Sequence, residues 1–164
     1  MRNKPMQINY QDNFFSEREH NLIYDYCLNA TYKYGETDEI DTPQTGLVHN
    51  IPEDEFMYKL FKKKLRDFDL QLGSMKLYRM YVNCFAPSEN PYFHIDGEKG
   101  ITLLYYPHME WDVNEGGETQ FYIDENIYGI TPVPNRMVIF DASILHRATS
   151  FRSSHRFTVA IKYQ

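Results

Sequence analysis

From Met75 onward the chain consists of short runs rich in β-branched and aromatic residues, with no helical periodicity between them. Turn-forming sequences, such as the stretch around Pro87 and the pair Gly116-Gly117, stand between the runs. The predicted strands are residues 75–85, 101–106, 119–123, 136–140 and 156–163. Strands that follow one another without intervening helices predict an antiparallel sandwich or barrel.

Two amphipathic segments precede these strands. Ser16 and Glu19 have the spacing of a capping box, and apolar residues follow at helical intervals, so residues 16–30 are predicted to be a helix. A second helix is predicted over residues 52–67, because Pro52 suits a first helical turn and an apolar stripe follows it. Residues 35–50 between them are predicted to be a polar loop. The predicted fold class is therefore mainly β with N-terminal helices, an α+β protein whose sheet is backed by two or more helices.

Composition limits the remaining possibilities. A chain of 164 residues is long enough for one domain with a real core. Its net charge of -6 makes nucleic acid an unfavourable partner, and it has no apolar window long enough to span a bilayer. Met1 to Pro5 have no apolar stretch typical of a secretory leader, so we expect a soluble, cytoplasmic protein with no membrane partner. Cys27 and Cys84 are predicted to be buried thiols.

His94 and Asp96 lie two residues apart, before a turn and the apolar run that ends at Tyr106. On a strand, residues two apart point to the same side, so both side chains can face one cavity. A His-x-Asp pair arises easily by chance, and a lone histidine also fits a hydrogen-bonded core residue. The pair is therefore a candidate for metal binding that needs a third ligand from elsewhere.

Five other histidines could supply this ligand. His20 and His49 lie in the helical half and His108 in a loop, whereas His146 follows an apolar run and His155 stands beside the last strand. The run before His146 predicts that it lies at the far end of a strand. Two histidines and one carboxylate on one face of an octahedron leave three positions free, as in non-haem iron(II) oxygenases.

Arg156 stands ten positions after His146, at the start of the last predicted strand. A guanidinium group that faces the inside of a barrel is costly unless a carboxylate meets it, and no acidic residue follows Asp141 in the sequence. A dicarboxylate cosubstrate held by the guanidinium fork would provide that partner.

These residues resemble the 2-oxoglutarate and iron(II)-dependent dioxygenases, in their prolyl-4-hydroxylase-like branch. That family has a His-x-Asp pair, a distal histidine and an arginine about ten residues later, which His94, Asp96, His146 and Arg156 match in order. The family also has similar runs to "ITLLYY", "EWDVNEGGET" and "PNRMVIF". The resemblance implies a double-stranded β-helix, a jelly roll of cupin type. Residues 75–164 would form its core, and residues 1–74 would provide helical support and early strands.

The resemblance also implies roles for single residues. His94, Asp96 and His146 would bind iron(II) as the catalytic centre. Arg156 would hold the distal carboxylate of 2-oxoglutarate, with Thr158 as a hydroxyl donor to it. The resemblance assigns the remaining cosubstrate contacts to Tyr105 and to Tyr81. Alternation places Leu103 and Tyr105 on one strand face, and the sequence leaves open which face points inward.

The implied activity is hydroxylation of an unactivated C–H bond, with decarboxylation of 2-oxoglutarate to succinate. The cofactors would be iron(II), 2-oxoglutarate and O2, with ascorbate as an additional candidate. A prolyl residue in a peptide or protein is the leading substrate, and a free amino acid or another small molecule is the alternative. Asp96 argues against a halogenase, which has a small residue at that position. The sequence gives no oligomeric state.

Three rival interpretations remain. A nucleic-acid demethylase of the same superfamily would have a second arginine six residues after Arg156, where this chain has Lys162. A cupin-like ligand-binding barrel would use the histidines structurally or for a redox-inert metal. A pure interaction module would leave His94, Asp96, His146 and Arg156 unrelated in space.

Overall fold

We describe the fold from a computed structural model, which covers residues 8–69 and 72–164. Met1 to Pro5, used above for the leader prediction, lie outside the described residues. The helices are α1 (Glu17–Asn29) and α2 (Phe56–Phe68). The strands are β1 (Asn9–Gln11), β2 (Lys33–Tyr34), β3 (Leu47–Asn50), β4 (Leu77–Phe85), β5 (Ile101–Tyr105), β6 (Thr119–Ile123), β7 (Asn126–Ile130), β8 (Met137–Asp141), β9 (His146–Arg147) and β10 (Arg156–Tyr163).

The strands form two antiparallel sheets. The large sheet has the order β1-β8-β5-β10-β4-β3-β2, and the small sheet has the order β7-β6-β9. The strand β10 lies inside the large sheet, because it pairs with β4 on one side and with β5 on the other. This confirms a mainly β chain with two helices and antiparallel sheets.

Each face of the large sheet is covered by a different layer. On one face, α1 and α2 pack against it through a core that includes Phe15, Ile23, Phe61 and Leu65. On the other face, a second core that includes Phe121 lies between the large sheet and the small one. Because both faces are covered, nearly every residue of β10 is buried. A polar side chain on the second face therefore points into the space between the sheets.

The first helix agrees with its prediction. Ser16 accepts a hydrogen bond from the backbone of Glu19, and the Glu19 carboxylate accepts one from the Ser16 backbone, so the capping box is complete. The second helix begins at Phe56 rather than at Pro52, which corrects the predicted start. Pro52 instead accepts a backbone hydrogen bond from Glu55 in a turn before the helix.

Five predicted strands are present, whereas β1, β2, β3, β7 and β9 were not predicted. The predicted loop 35–50 ends in β3, a four-residue strand paired with β4. The predicted position of His146 at the end of the strand before it is wrong. That strand, β8, ends at Asp141, where Ser143 donates backbone and side-chain hydrogen bonds to the carboxylate and forms a turn. The chain then crosses to the small sheet, where His146 begins β9.

No helix in the described part of the chain is long and apolar enough to cross a membrane.

Cys27 and Cys84 are buried free thiols, as the sequence predicts.

Candidate functional site

A cavity of about 150 Å³ lies between the large sheet and the small one. The residues that line it come from widely separated parts of the chain and include His94, Asp96, His146, Arg156 and Thr158. The sequence-predicted residues are thus brought together in space, apart from Tyr105, which is discussed below. His94, Asp96, His146 and Arg156 line one cavity, which argues against a pure interaction module, because that interpretation requires them to be unrelated in space.

His94, Asp96 and His146 form the cluster that could hold a metal ion. Their candidate ligand atoms all lie within 4.8 Å of one another. Nε2 of His146 is 3.4 Å from Oδ2 of Asp96, and Nε2 of His94 is 3.7 Å from Oδ1 of the same carboxylate. Two imidazoles and one carboxylate suit iron(II) with open coordination positions. The other four histidines lie outside this cluster.

Backbone hydrogen bonds fix the position of His94 and Asp96 relative to His146. His94 and His146 exchange two backbone hydrogen bonds of 2.9 Å, and the backbone N–H of Asp96 donates to the carbonyl of Ala142 at 2.9 Å. The predicted strand at His94 is therefore reduced to a single bridge to β9. Residues 94 and 96 still point to one cavity, because both are tied to the segment that carries His146.

Hydrogen bonds at the Nδ1 atoms of His94 and His146 select the tautomer that leaves Nε2 free to bind a metal. Nδ1 of His94 donates to the carbonyl of Tyr92 at 3.0 Å, and Nδ1 of His146 donates to that of Ile144 at 2.8 Å. A neutral imidazole protonated at Nδ1 has its free lone pair on Nε2. Both Nε2 atoms therefore face Asp96 as electron-pair donors, which is the arrangement that a metal ligand requires.

The protonation states also suit metal binding. Burial lowers the pKa of His146 to about 4, so its ring is neutral near pH 7. Burial alone would raise the pKa of Asp96, but the charges of protonated His146 and of Lys162, with hydrogen bonds from Lys162 and Thr102, hold it below its ordinary value. The cluster therefore offers a carboxylate and a neutral imidazole at neutral pH.

Arg156 lines the same cavity and is only 1% exposed. Its Nε donates to the carbonyl of Gly117 at 2.9 Å, while the Nη atoms donate to Thr158 at 2.7 Å and Thr119 at 3.2 Å. Within the described residues, no carboxylate lies within ion-pairing distance of the guanidinium. A guanidinium has five N–H donors, so two remain for a ligand in the cavity.

The glycine pair before β6 has the structural role predicted for it. Gly116 and Gly117 have φ angles of 69° and 83°, a region that favours glycine. A Cβ at Gly117 would clash with the ring of Phe151, and the carbonyl of Gly117 accepts a hydrogen bond from Arg156. The turn therefore holds the guanidinium in place through its backbone.

Thr158 and Tyr81 both line the cavity, whereas Tyr105 does not. Tyr105 is fully buried against the helices, and its hydroxyl hydrogen-bonds Nδ1 of His20 at 2.5 Å and Oδ1 of Asn135 at 2.9 Å. The predicted contact between Tyr105 and the cosubstrate is therefore corrected. The opposite strand face, which carries Leu104, points to the cavity.

Sequence reasoning missed two residues that contact Asp96. Lys162 donates to its Oδ1 at 2.7 Å, and Thr102 donates to its Oδ2 at 2.6 Å. The signal for Lys162 was strand alternation, since every second residue from Arg156 reaches it through Thr158 and Ala160. Thr102 is the register partner of Lys162 on β5.

A segment of the predicted loop 35–50 covers the cavity. Glu36, Asp38 and Thr45 line it, and the carboxylate of Glu36 pairs with Arg79 on β4 at 2.6 Å. Asp38 accepts a hydrogen bond of 2.8 Å from the backbone of Tyr92 and lies 3.4 Å from Nδ1 of His94. The segment is thus tied both to the large sheet and to the loop that carries His94.

The sequence matches the family model described as the 2OG-Fe(II) oxygenase superfamily over residues 80–163, slightly more than half of the chain. The chain belongs to this superfamily. The matched region contains the whole cluster of His94, Asp96 and His146, together with Arg156. The superfamily implies iron(II) and 2-oxoglutarate, and the donor set described above fits such a metal. The chain has no match among curated proteins.

Three solved structures show how widely this oxygenase fold is shared. A prolyl-4-hydroxylase from Pseudomonas putida has a TM-score of 0.83 at 12% identity, covering 98% of this chain and 94% of that one. A Trichoplax adhaerens prolyl hydroxylase in complex with a hypoxia-inducible-factor peptide has a TM-score of 0.75 at 17% identity, covering 95% and 82%. The collagen prolyl hydroxylase of Paramecium bursaria Chlorella virus-1, in complex with 2-oxoglutarate, has a TM-score of 0.70 at 18% identity, covering 95% and 94%. The superfamily match makes the chain a 2-oxoglutarate-dependent dioxygenase, and these structures show that its fold is prolyl-4-hydroxylase-like.

Proposed function

We propose that this oxygenase hydroxylates an unactivated C–H bond of a prolyl residue in a peptide or protein. The observation that carries the proposal is the buried guanidinium of Arg156, which lines the same cavity as the metal-ligand cluster and forms no ion pair with a carboxylate of the described chain. A cosubstrate with two carboxylates would account for both features of the cavity. One carboxylate would pair with the guanidinium of Arg156, and the 2-oxo acid group would be available to a metal held by the cluster.

Each residue of the site has a distinct task in this proposal. His94, Asp96 and His146 hold iron(II), and Arg156 with Thr158 binds the distal carboxylate of 2-oxoglutarate. Tyr81 borders the cosubstrate from β4. When bound, iron(II) and 2-oxoglutarate supply activation of O2, with release of succinate and CO2 and transfer of one oxygen atom to the substrate.

The substrate proposal rests on the similar proteins. The three reported above are named as prolyl hydroxylases, and one is in complex with a peptide fragment. A free amino acid or other small molecule is the second candidate. It is favoured by the small cavity and by the covering segment that carries Glu36 and Asp38.

Further parts of the proposal concern the whole chain. We propose one dioxygenase domain in which the two sheets form a double-stranded β-helix, with residues 1–74 as support and early strands. Ascorbate as a helper and a cytoplasmic location stay predictions. A cupin-like ligand-binding barrel remains the rival from another class, and dependence of 2-oxoglutarate binding on Arg156 separates the two.

The test is a turnover assay with iron(II), 2-oxoglutarate, ascorbate and air. Proline-containing peptides and free amino acids are compared, succinate is quantified, and products are analysed by mass spectrometry for one added oxygen atom. We expect succinate and hydroxylated peptide in equal amounts, with nearly complete loss in Asp96→Ala, which lacks the anionic ligand. Hydroxylation of amino acids alone would replace the prolyl-residue proposal with the second candidate.

A further inference from the structure

Both carboxylate oxygens of Asp96 accept hydrogen bonds from side chains outside the motif of His94, Asp96, His146 and Arg156. Its side chain is 3% exposed; Oδ1 accepts from Nζ of Lys162 at 2.7 Å, and Oδ2 accepts from Oγ1 of Thr102 at 2.6 Å. The two donors come from neighbouring strands, since Lys162 and Thr102 are register partners on β10 and β5. The carboxylate is therefore positioned from the large sheet and not only by the segment that carries it.

Lys162 is an unusual residue for this position. It lies inside the large sheet, paired with Arg79 on β4 and Thr102 on β5, and its side chain is only 13% exposed. In the described chain, Asp96 is the carboxylate that forms an ion pair with its ammonium group. Tyr81 is the other neighbour, with its ring centroid 5.3 Å from Nζ. A buried ammonium persists at such a site only when a charge partner is close.

The same ammonium group also faces the cavity between the sheets. A metal ion bound by His94, Asp96 and His146 would share the Asp96 carboxylate with Lys162. Two cations on one carboxylate repel each other, and this repulsion is strong where water is excluded. A dianionic cosubstrate beside the metal is, in contrast, attracted by the ammonium.

We propose that Lys162 is a charge-balancing positioning residue that acts through Asp96. In the metal-free site its ammonium group takes the place of the metal charge and holds the carboxylate ready for binding. In the loaded site the same ammonium opposes the metal but favours the dianionic 2-oxoglutarate. This inference rests on the proposed function, because it requires that the cluster binds a metal and that the cavity binds the cosubstrate.

Metal binding without turnover provides the direct test. Apo-protein is prepared with a chelator and titrated with Mn(II), whose free concentration is read by electron paramagnetic resonance. Lys162→Met removes the charge and keeps a linear side chain, and Lys162→Gln removes the charge but keeps a hydrogen-bond donor for Asp96. Lys162→Arg restores the charge. Lys33→Met is the control, since Lys33 is an exposed lysine on β2 of the same sheet and does not line the cavity.

The proposal predicts opposite changes for the two ligands. Lys162→Met and Lys162→Gln bind Mn(II) about tenfold more tightly, and the Mn(II)-loaded variants bind 2-oxoglutarate about tenfold more weakly, by calorimetry. Lys162→Arg stays near wild type for both, and Lys33→Met keeps wild-type Mn(II) affinity. If the role of Lys162 were purely structural, the neutral variants would bind both Mn(II) and 2-oxoglutarate more weakly.

The outcomes separate this proposal from the proposed function. Unchanged or weaker Mn(II) binding in the two neutral variants overturns the role of Lys162 while the metal site stands. Absence of Mn(II) binding in the wild type overturns both proposals. If Lys162→Met does not fold, Lys162→Gln decides the question alone, because it keeps a polar partner for the Asp96 carboxylate.

Discussion

At the scale of single residues, the most informative feature is Arg156, whose buried guanidinium forms no ion pair with a carboxylate of the described chain. Arg156 is enclosed by Gly117, Thr119 and Thr158, and none of these neutralises its charge. The sequence already indicated that Arg156 lacks a carboxylate partner nearby in the chain, because no acidic residue follows Asp141. It could not indicate that Tyr105 faces the helices, because alternation along a strand does not say which face is inward.

Arg156→Gln should weaken 2-oxoglutarate binding to the metal-loaded enzyme about 100-fold, because two charge-assisted hydrogen bonds to the carboxylate are lost. Calorimetric titration with 2-oxoglutarate measures this loss. Arg152→Gln is the control, since Arg152 is exposed on the loop before β10. Equal affinity in wild type and Arg156→Gln would show that the cosubstrate is held elsewhere.

Tyr105→Phe should leave the KM for 2-oxoglutarate unchanged and lower the stability by about 1–2 kcal/mol, because the lost hydroxyl bonds only to His20 and Asn135. Steady-state kinetics and urea unfolding measure the two effects. Tyr81→Phe is the comparison, because Tyr81 lines the cavity. A large rise in KM for Tyr105→Phe would reinstate the original prediction for this residue.

His108 should make the protein sensitive to mild acid. Burial, with the charges of Arg156 and His20, lowers the pKa of His108 to about 4, and its Nε2 accepts a hydrogen bond of 2.8 Å from the backbone of Phe157. The folded state thus binds fewer protons than the unfolded state. This contribution is complete above about pH 6.5 and falls by about 3 kcal/mol as the pH drops to 4.

Unfolding by urea at several pH values tests this prediction. His108→Gln should reduce the slope of stability against pH by up to one proton between pH 6.5 and 4. The prediction fails if this variant keeps the wild-type slope.

At the scale of elements, the central strand β10 organises the site. Its alternation carries Arg156, Thr158 and Lys162 to the cavity, and its neighbours β4 and β5 supply Tyr81 and Leu104. The five main strands were predictable, because their apolar runs are bounded by turn residues. The shorter β2, β3 and β9 were not, since two to four residues give no pattern and their pairing depends on contacts distant in sequence.

The segment that covers the cavity is the element that we expect to move. Its link to the sheet is the pair of Glu36 with Arg79, which is partly exposed and so contributes at most about 1 kcal/mol. Glu36→Gln should therefore speed hydrogen exchange of residues 36–45 up to about fivefold without changing the rest of the chain. Glu39→Gln, at an exposed position, is the control. Identical exchange in the two variants would argue against the link.

At the scale of the whole molecule, the two sheets are joined where the metal-ligand cluster lies. The bridge between His94 and His146 connects a loop of the large sheet to the small sheet, and the bond of Asp96 with Lys162 connects the same loop to β10. The order and spacing of the motif predicted that these residues meet. The cover over the cavity could not be predicted, because its polar sequence carries no periodic signal.

Metal and cosubstrate should consequently stabilise the entire fold. Mn(II) with 2-oxoglutarate, each at about 100 times its Kd, should each add about 2.7 kcal/mol of stability and together raise Tm by roughly 10–20 °C. Differential scanning fluorimetry measures the shift, which a chelator should reverse. Asp96→Ala should show no shift with Mn(II). A shift of wild-type size in that variant would place the metal at another site.

The central claim is that His94, Asp96 and His146 bind iron(II) in the same cavity in which Arg156 binds 2-oxoglutarate. Anaerobic titration of the iron(II)-loaded protein with 2-oxoglutarate tests it directly, by following the weak visible charge-transfer band of the chelated metal. We predict a saturable band in the wild type that is absent from His146→Ala and shifted to much higher 2-oxoglutarate concentration in Arg156→Gln. A wild-type protein that binds iron(II) yet gives no band would contradict the claim and favour a ligand-binding barrel without oxygenase activity.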